Sequence, residues 1–267
     1  MQQLAQDFND ECEALYGLLA PLDEDLLFEP TRFKGWAAED VLGHLHLWDV
    51  AADLSFSDET GFEALMADLL PKIMGGQSHK EVTAEWLGGL SGRALLETWR
   101  SNASAMAGRM AKGDPKQRVK WAGPDMSLRS SLTARLMETW AHGQALYDLF
   151  GVKRVNTDRI RNVAVLGVNT YGWTFKNRGM ELPGDPPYVK LTAPSGAVWE
   201  WNVPSRENFV EGSAEEFCQV VTQTRAFGDT GLTAAGEPAQ QWMALAQCFA
   251  GPPETPPAPG QRHMEAG

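Results

Sequence analysis

The sequence predicts an α+β protein, in which an up-and-down bundle of amphipathic helices is followed by a small α+β domain. Two observations support this fold class. Apolar residues recur at helical spacing through about the first 150 positions, with short polar breaks between the runs. From about residue 185 the pattern changes to the alternation of apolar and polar residues that is typical of strands.

Five helices are expected in the first part of the chain, because each apolar run is bounded by a capping or breaking residue. The first expected helix carries Leu4, Phe8, Cys12, Leu15 and Leu19 and ends at Pro21. The second spans about 37–54, and the third spans 59–74 and ends before Gly75-Gly76. The fourth lies between Ser91 and Gly113, and the fifth spans 128–150 between Ser127 and Gly151. Short loops between helices favour antiparallel neighbours, so the first part is predicted to be a bundle.

The second part begins with one more helix, expected at about 158–178. A β-hairpin is predicted around Pro194-Ser195-Gly196, and Ser213 with Glu216 has the spacing of a capping box that opens a helix. Another helix should begin at Pro238, a residue favoured in the first turn. The predicted domains are a bundle at 1–152, a connecting helix and linker at 153–184, a small α+β domain at 185–251, and a Pro-rich disordered tail at 252–267.

Composition excludes several classes of function. The chain has 267 residues, 43% of them hydrophobic, which suits a globular protein with one or two cores. The net charge is −12 and no run of Lys or Arg occurs, so binding to nucleic acid or to an anionic membrane surface is disfavoured. We therefore expect small-molecule partners, with a homodimer left open.

Cysteine usage and hydropathy indicate the compartment. Cys12, Cys218 and Cys248 are odd in number and far apart in the sequence, which argues against a disulfide framework and fits a reducing environment. No uncharged apolar run approaches the ~20 residues of a membrane span, and the acidic N-terminus is unlike a signal peptide. We expect a cytoplasmic, soluble protein.

The chain has five histidines, and two of them, His44 and His46, interrupt one apolar helix. Glu138 and His142 lie four residues apart, so both project from one face of the long helix. Together with one His from another helix they would form a His₂Glu set with an open position, as in catalytic zinc sites. Such a pair is more often a surface pair, but here apolar residues flank it on the core-facing side. Periodicity does not choose between His44 and His46.

The other two histidines are not expected to bind metal. His79 lies beside Lys80 in what reads as a polar loop, and His263 lies in the Pro-rich tail. Neither stands on an apolar helix face.

Two motifs carry a resemblance to a known family. "GWAAEDVLGHL" at 35–45, followed by "RLMETWAHG" at 135–143, resembles the mycothiol-dependent maleylpyruvate isomerase family, whose N-terminal domain is a DinB-like metal-binding four-helix bundle. Two later stretches, "VEGSAEEFCQVVTQTR" and "AAGEPAQQWMALA", are similar to the smaller C-terminal domain of that family. The resemblance covers nearly the whole chain.

The resemblance implies a set of site residues. By position, the family's metal ligands correspond to His44, Glu138 and His142, and its C-terminal arginine that holds an anionic substrate corresponds to Arg225. One departure concerns the position three residues after the second His, which is commonly Asp in these isomerases and is Ala145 here. The substrate is therefore expected to differ from that of the named isomerase.

The resemblance also implies a cofactor and a chemistry. The expected cofactor is a divalent metal, zinc before others, and the expected co-substrate is a low-molecular-weight thiol such as mycothiol. Metal binding lowers the pKa of a thiol far below its free value of ~8.5. The implied reaction is isomerisation or S-transfer on a small anionic substrate, and in the isomerase case the thiolate adds to a cis double bond, which then rotates before the thiolate leaves. Two alternatives stay open: a non-catalytic metal or small-ligand binding protein, and a metal-dependent hydrolase.

Overall fold

The structure, a computed structural model, describes residues 1–264 and confirms the α+β class. The chain divides into two compact units, Met1–Leu146 and the part from Tyr147 onward. This division falls inside the long helix Leu128–Leu149, a few residues before the predicted boundary at residue 152. Within residues 1–264, each helix is too short or too polar to cross a lipid bilayer.

The first unit is helical. In chain order its elements are α1 (Gln2–Leu19), α2 (Ala38–Ser57), α3 (Glu59–Met74), α4 (His79–Leu87), α5 (Gly92–Met110), the short strands β1 (Arg118–Val119) and β2 (Met126–Ser127), and most of α6 (Leu128–Leu149). Helix α5 packs against both α1 and α2, while α3 and α4 also pack on α2. Helix α2 is therefore central, and Val41, Leu45 and Ala52 on it are fully buried.

Helix α4 differs from the sequence prediction, which placed His79 in a polar loop. Ser78 caps this helix: its hydroxyl accepts a hydrogen bond from the Glu81 N–H at 3.2 Å, and the Glu81 carboxylate accepts one from the Ser78 N–H at 2.8 Å. The missing side chain of Gly43 lets α4 approach α2, because a Cβ there would lie 2.9 Å from Leu87 Cδ1. His79 is consequently held by a helix that packs on the element carrying His44.

Over its described residues, 147–264, the second unit combines four α-helices after α6 with a mixed sheet. Its elements are α7 (Arg161–Asn169), α8 (Tyr171–Lys176), β3 (Tyr188–Thr192), β4 (Val198–Trp201), β5 (Phe209–Ser213), α9 (Ala214–Val221), β6 (Thr233–Ala235) and α10 (Glu237–Leu245). The strand order is β4-β3-β5-β6, with β3 parallel to β5 and the other two pairs antiparallel. The predicted hairpin is confirmed as β3 and β4.

Three details of the second unit differ from the sequence prediction. The helix expected at 158–178 is broken at Thr170, whose hydroxyl donates to main-chain carbonyls of the preceding turn. Strands β5 and β6 were not predicted. The capping box of Ser213 does not form, because Glu216 accepts a hydrogen bond from the Gly231 N–H at 2.9 Å instead.

The predicted connecting segment at 153–184 belongs to the core of the second unit. Helix α7 packs on α9, and a Cβ at Gly167 would lie 2.8 Å from Val221 Cγ2. This close helix contact ties the segment to the domain that was predicted to begin at residue 185.

The segment predicted to be a disordered tail, 252–267, makes contacts with the rest of the second unit over residues 252–264, and residues 265–267 lie outside the described part. The Glu254 N–H donates to Gln247 Oε1 at 2.9 Å, and the Glu254 carbonyl accepts from Arg178 at 2.6 Å. Arg262 donates to the Gln223 carbonyl at 2.5 Å, and Pro257 is buried. Proline content alone does not produce disorder when buried side chains elsewhere bind the tail backbone.

Candidate metal centre

His44 projects from α2 toward Glu138 on α6. Its Nε2 lies 3.4 Å from Glu138 Oε2, and its side chain is 12% exposed. The start of α2 is fixed by Asp40, whose carboxylate accepts the Ala37 N–H at 2.8 Å. His46 faces elsewhere, with its ring centroid 5.3 Å from that of Trp86. The structure therefore brings His44, and not His46, to the carboxylate.

Glu138 and His142 meet on one face of α6, as their four-residue spacing requires. His142 Nε2 lies 3.0 Å from Glu138 Oε2, the same oxygen that His44 approaches. The beginning of this helix is held by Ser127, whose hydroxyl accepts a hydrogen bond from the Ser130 N–H at 3.1 Å. The two helices thus bring two imidazoles to one carboxylate oxygen.

The geometry of these three residues fits a small divalent cation. One ligand atom from each lies within 4.8 Å of the other two, and two of the separations are 3.0 and 3.4 Å. Metal–ligand bonds of ~2.0–2.1 Å in a tetrahedron separate neighbouring ligand atoms by roughly 3.3 Å. Three protein ligands leave a fourth tetrahedral position for another molecule.

The protonation states also fit a cation. Burial lowers the pKa of His44 to about 4, so its imidazole is neutral at pH 7. For Glu138, burial alone raises the pKa, but hydrogen bonds and charge interactions with His142 and His44 outweigh it and hold the pKa well below its ordinary value. An ionised carboxylate beside a neutral imidazole is the deprotonated donor set that metal binding needs.

An aromatic shell surrounds the imidazoles. The Trp36 ring stacks on His142 with an interplanar angle of 3° and a centroid distance of 5.8 Å, and its edge meets His44 at 5.4 Å. Phe33 meets the His142 ring at 5.1 Å, and Trp48 lies 6.4 Å from His44. Apolar rings around a charged cluster reduce its access to water and strengthen its electrostatic interactions.

His79 lies beside this cluster, although the sequence prediction set it apart. Its ring centroid is 6.2 Å from that of His44 and 6.1 Å from that of Trp48. The prediction failed because α4 was not recognised, and the signal that could have found it is the Ser78-x-x-Glu81 capping box. His263 lies in the second unit, and its Nδ1 is 2.9 Å from the Gly260 carbonyl.

A buried ion pair joins the two helices that carry the cluster. Arg135 Nε donates to Asp49 Oδ1 at 2.8 Å, and the Trp99 indole N–H donates to Asp49 Oδ2 at 3.1 Å. Arg135 precedes Glu138 by less than one turn of α6, and Asp49 follows His44 on α2. The pair therefore ties α2 to α6 close to His44 and Glu138.

Arg225 lies in the second unit, a few residues beyond the end of α9. Its guanidinium donates to both carboxylate oxygens of Asp148, at 2.7 and 2.6 Å, and to the Thr224 carbonyl at 2.8 Å. The side chains of Arg225 and Asp148 are only 13% and 11% exposed. A carboxylate of the chain itself thus already faces the guanidinium, and a role in holding a substrate anion stays a prediction.

Comparison with known proteins adds a family match. Residues 8–147 match the model of the mycothiol maleylpyruvate isomerase N-terminal domain. Two uncharacterized proteins of Mycobacterium tuberculosis, from the strains CDC 1551 / Oshkosh and ATCC 25618 / H37Rv, are each 38% identical over 247 residues, which is 92% of this chain and 95% of the relative.

Two solved structures are also similar. One is a crystal structure of the mycothiol-dependent maleylpyruvate isomerase, and its match covers 87% of this chain and 91% of the isomerase chain. The other is a histidine-to-alanine mutant of that enzyme, and its match covers 82% of this chain and 87% of the mutant chain. Both have 15% sequence identity and a TM-score of 0.49.

Proposed function

The chain belongs to the mycothiol maleylpyruvate isomerase N-terminal domain family, and from this premise we propose that it is a metal-dependent enzyme that uses a low-molecular-weight thiol. The proposed reaction is isomerisation or S-transfer on a small anionic substrate. The observation that carries the proposal is the convergence of His44, Glu138 and His142 within the matched domain, with one ligand atom of each within 4.8 Å of the others.

The proposed ligand set determines the charge of the site. Two neutral imidazoles and one carboxylate around a divalent ion leave about one net positive charge and an open position. A cation held there lowers the pKa of a thiol in that position from ~8.5, which gives a thiolate at neutral pH. Zinc is the expected ion, because a His₂Glu set with an open position is typical of catalytic zinc sites.

The thiol must come from outside the chain. Burial raises the pKa of Cys12 well above its ordinary value, and the negative charges of Asp49 and Glu11 add to this effect. Burial likewise raises the pKa of Cys218, and Cys248 is also buried. Cys12 and Cys218 are therefore not available as thiolates, and the burial of all three cysteines supports a thiol co-substrate.

The surrounding side chains have a supporting role. Trp36 stacks on the His142 ring and Phe33 meets it edge to face, and these two contacts limit its rotation. Packing of this kind fixes a ligand imidazole in one orientation, as outer-shell contacts commonly do. Arg225 is our candidate for the anionic group of the substrate, since a guanidinium can bind both oxygens of a carboxylate. To do so it would have to share or release Asp148.

The test combines metal analysis with calorimetry on the purified full chain. Zinc-loaded protein is titrated with mycothiol, glutathione and bacillithiol, and is then assayed with cis-configured dicarboxylates and other electrophiles. The proposal predicts that one thiol binds at micromolar to millimolar concentration and that turnover requires both zinc and that thiol. Glu138→Gln should abolish thiol binding, while Glu85→Gln, an exposed carboxylate in the same unit, should not.

Each alternative has its own outcome. Turnover with zinc and water alone would favour the metal-dependent hydrolase. Zinc or ligand binding without turnover would favour a non-catalytic binding protein, a reading to which Ala145 lends some weight. Absence of thiol binding at millimolar concentration would contradict the proposed function.

A further inference from the structure

We propose that the C-terminal segment 254–262, which we call the strap, positions Arg225 to hold one carboxylate of the small anionic substrate. The inference rests on the proposed function for the role of Arg225, and it goes further because it gives a role to the C-terminal residues. Both the strap and Arg225 belong to the second unit.

The Arg225 guanidinium is held along one edge and open along another. Its Nη1 and Nη2 each donate to one oxygen of Asp148, at 2.7 and 2.6 Å, and Nη1 also donates to the Thr224 carbonyl at 2.8 Å. Within residues 1–264, Nε and the second hydrogen of Nη2 donate to no other group. These two N–H groups share an edge of the guanidinium and can together bind both oxygens of a carboxylate. Arg225 can therefore bind a second carboxylate while it keeps Asp148.

The loop that carries Arg225 begins with a backbone conformation that needs support. Gln223 lies two residues after α9 and has a φ of 58°, in the left-handed region that is unfavourable for a residue with a Cβ. Glycine is the usual residue at such helix ends. Here the Gln223 side chain donates to the carbonyls of Ala246 and Glu254, at 2.9 and 3.2 Å. The second of these carbonyls belongs to the strap, so the strap stabilises the conformation that precedes Arg225.

The strap also binds the loop on both sides of Arg225. On the N-terminal side, Arg262 donates to the Gln223 carbonyl at 2.5 Å. On the C-terminal side, the Gly260 N–H donates to the Asp229 carboxylate, whose oxygens lie at 2.8 and 3.1 Å. The loop that presents Arg225 is thus fastened at both ends by one C-terminal segment.

The composition of the strap suits this role. Pro256, Pro257 and Pro259 each fix the backbone φ at about −65°, and Pro257 is buried. A stiff segment loses less conformational entropy when it is held in place than a flexible one does. The prolines therefore limit how far the contacts between the strap and the loop can move.

A fixed guanidinium binds an anion more tightly than a mobile one. A free arginine side chain loses rotamer freedom when it binds a ligand, and this loss weakens the affinity. Asp148 orders the side chain of Arg225, and the strap orders the loop beneath it. The entropy cost is thus met on folding rather than on binding.

The variants must separate position from charge. Burial lowers the pKa of Arg262, and the positive charge of Arg225 acts in the same direction, so the two guanidinium groups interact. Removal of Arg262 would therefore change both the position of the loop and the local charge. Gln223→Met avoids this, because it removes both side-chain bonds of that residue without a change of charge.

A second variant, Asp229→Ala, removes the acceptor of the Gly260 N–H. Loss of a negative charge in this loop would by itself strengthen the binding of an anion. Weaker binding in Asp229→Ala therefore reports the lost contact with the strap. Asp229 is exposed, so its replacement should leave the fold intact.

The experiment is calorimetric titration of maleate, a small cis dicarboxylate, into the zinc-loaded full chain. Arg225→Met should weaken maleate binding about tenfold, because the charge-assisted hydrogen bonds of the guanidinium are lost. Gln223→Met and Asp229→Ala should each weaken it about fivefold, because Arg225 must then be ordered when the ligand binds. The matched controls are Gln240→Met and Asp185→Ala, which change exposed side chains of the same unit and should bind maleate as wild type does.

Zinc content and thiol affinity, measured on the same samples, separate this inference from the proposed function. Both should be unchanged in Gln223→Met and Asp229→Ala, whereas a general loss of structure would lower them together with maleate affinity. If these two variants bind maleate as tightly as wild type, the strap does not position Arg225. If Arg225→Met binds maleate as wild type does, or if wild type does not bind it at millimolar concentration, the inference is also wrong. Retained zinc and thiol binding would then leave the metal- and thiol-dependent function standing.

Discussion

Asp49 and Arg135 form an ion pair inside the helical unit, with side chains that are 1% and 3% exposed. The pair connects α2 to α6, the two helices that carry His44 and Glu138. Burial raises the pKa of Asp49, while the Arg135 guanidinium and its hydrogen bond act in the opposite direction. Each charged group is thus needed to compensate the burial of the other.

Removal of the guanidinium should destabilise the first unit strongly. For Arg135→Met we expect a loss of ~3–5 kcal/mol in the free energy of unfolding, because the Asp49 carboxylate is left buried without its cation. The control is Arg109→Met, which removes an ion pair to Asp53 whose arginine is 47% exposed, and which should cost about 1 kcal/mol or less. Urea denaturation measures both, and equal losses would contradict this account of the pair.

The three proposed ligands should be separable from their neighbours by metal analysis. His44→Ala and His142→Ala should reduce zinc from about one ion per chain to a trace, because two remaining ligands bind zinc weakly. His46→Ala and His79→Ala should keep full occupancy, since neither ring approaches Glu138 as a ligand. Full zinc occupancy in His44→Ala, or zinc loss in His46→Ala, would show that the ligand set is wrong.

The buried imidazole of His46 should make zinc-free protein sensitive to acid. Burial lowers the pKa of His46 from 6.5 to about 4, so the unfolded chain takes up a proton there before the folded chain does. At a pH between these two pKa values the unfolded chain is protonated at His46 and the folded chain is not, which favours unfolding. The free energy of unfolding therefore falls as the pH falls from about 6.5 toward 4. Between pH 7 and pH 5, His46 alone should lower the free energy of unfolding by about 2 kcal/mol.

A variant isolates this effect. His46→Leu removes the titrating group while it keeps an apolar contact with Trp86. The difference in unfolding free energy between His46→Leu and wild type, both zinc-free, should shift by about 2 kcal/mol in favour of the variant between pH 7 and pH 5. A difference that does not change with pH would mean that His46 is protonated or solvated in the folded protein.

The C-terminal residues should contribute to the stability of the second unit. Truncation after Gly251 removes the Glu254 main chain, which pairs with Gln247, Arg178 and Gln223. Loss of three such hydrogen bonds should cost about 2–4 kcal/mol. Pro253→Ala, an exposed position in the same segment, serves as the control. A truncated chain with an unchanged melting temperature would contradict this prediction.

The sequence predicts that the three candidate ligands lie together, in part because helical geometry is local, and the structure has them within 4.8 Å of one another. A four-residue spacing places Glu138 and His142 on one face wherever α6 begins, and the family resemblance selected His44 over His46. In the structure His44 Nε2 lies 3.4 Å from Glu138 Oε2 while the His46 ring faces Trp86, and the role of His44 as a metal ligand stays a prediction. Long apolar runs likewise fixed the main helices to within a few residues.

Elements that depend on distant partners were not predicted. Helix α4 has only nine residues and is stabilised by packing on α2, so its short apolar pattern read as a loop. Strand β5 is defined by pairing with β3 and β6, and the tail is held by Gln223, Arg178 and Gln247. These long-range contacts leave no periodic signal in the segment itself.

The most direct test of the central claim is the electronic spectrum of cobalt-substituted protein during titration with mycothiol. If the open position of the cluster binds a thiolate, an intense thiolate-to-cobalt charge-transfer band should appear and saturate at about one thiol per metal. The band should be absent in Glu138→Gln and present in Glu85→Gln. A spectrum that remains unchanged at millimolar thiol, in protein that holds its cobalt, would contradict the proposal that this site activates a thiol.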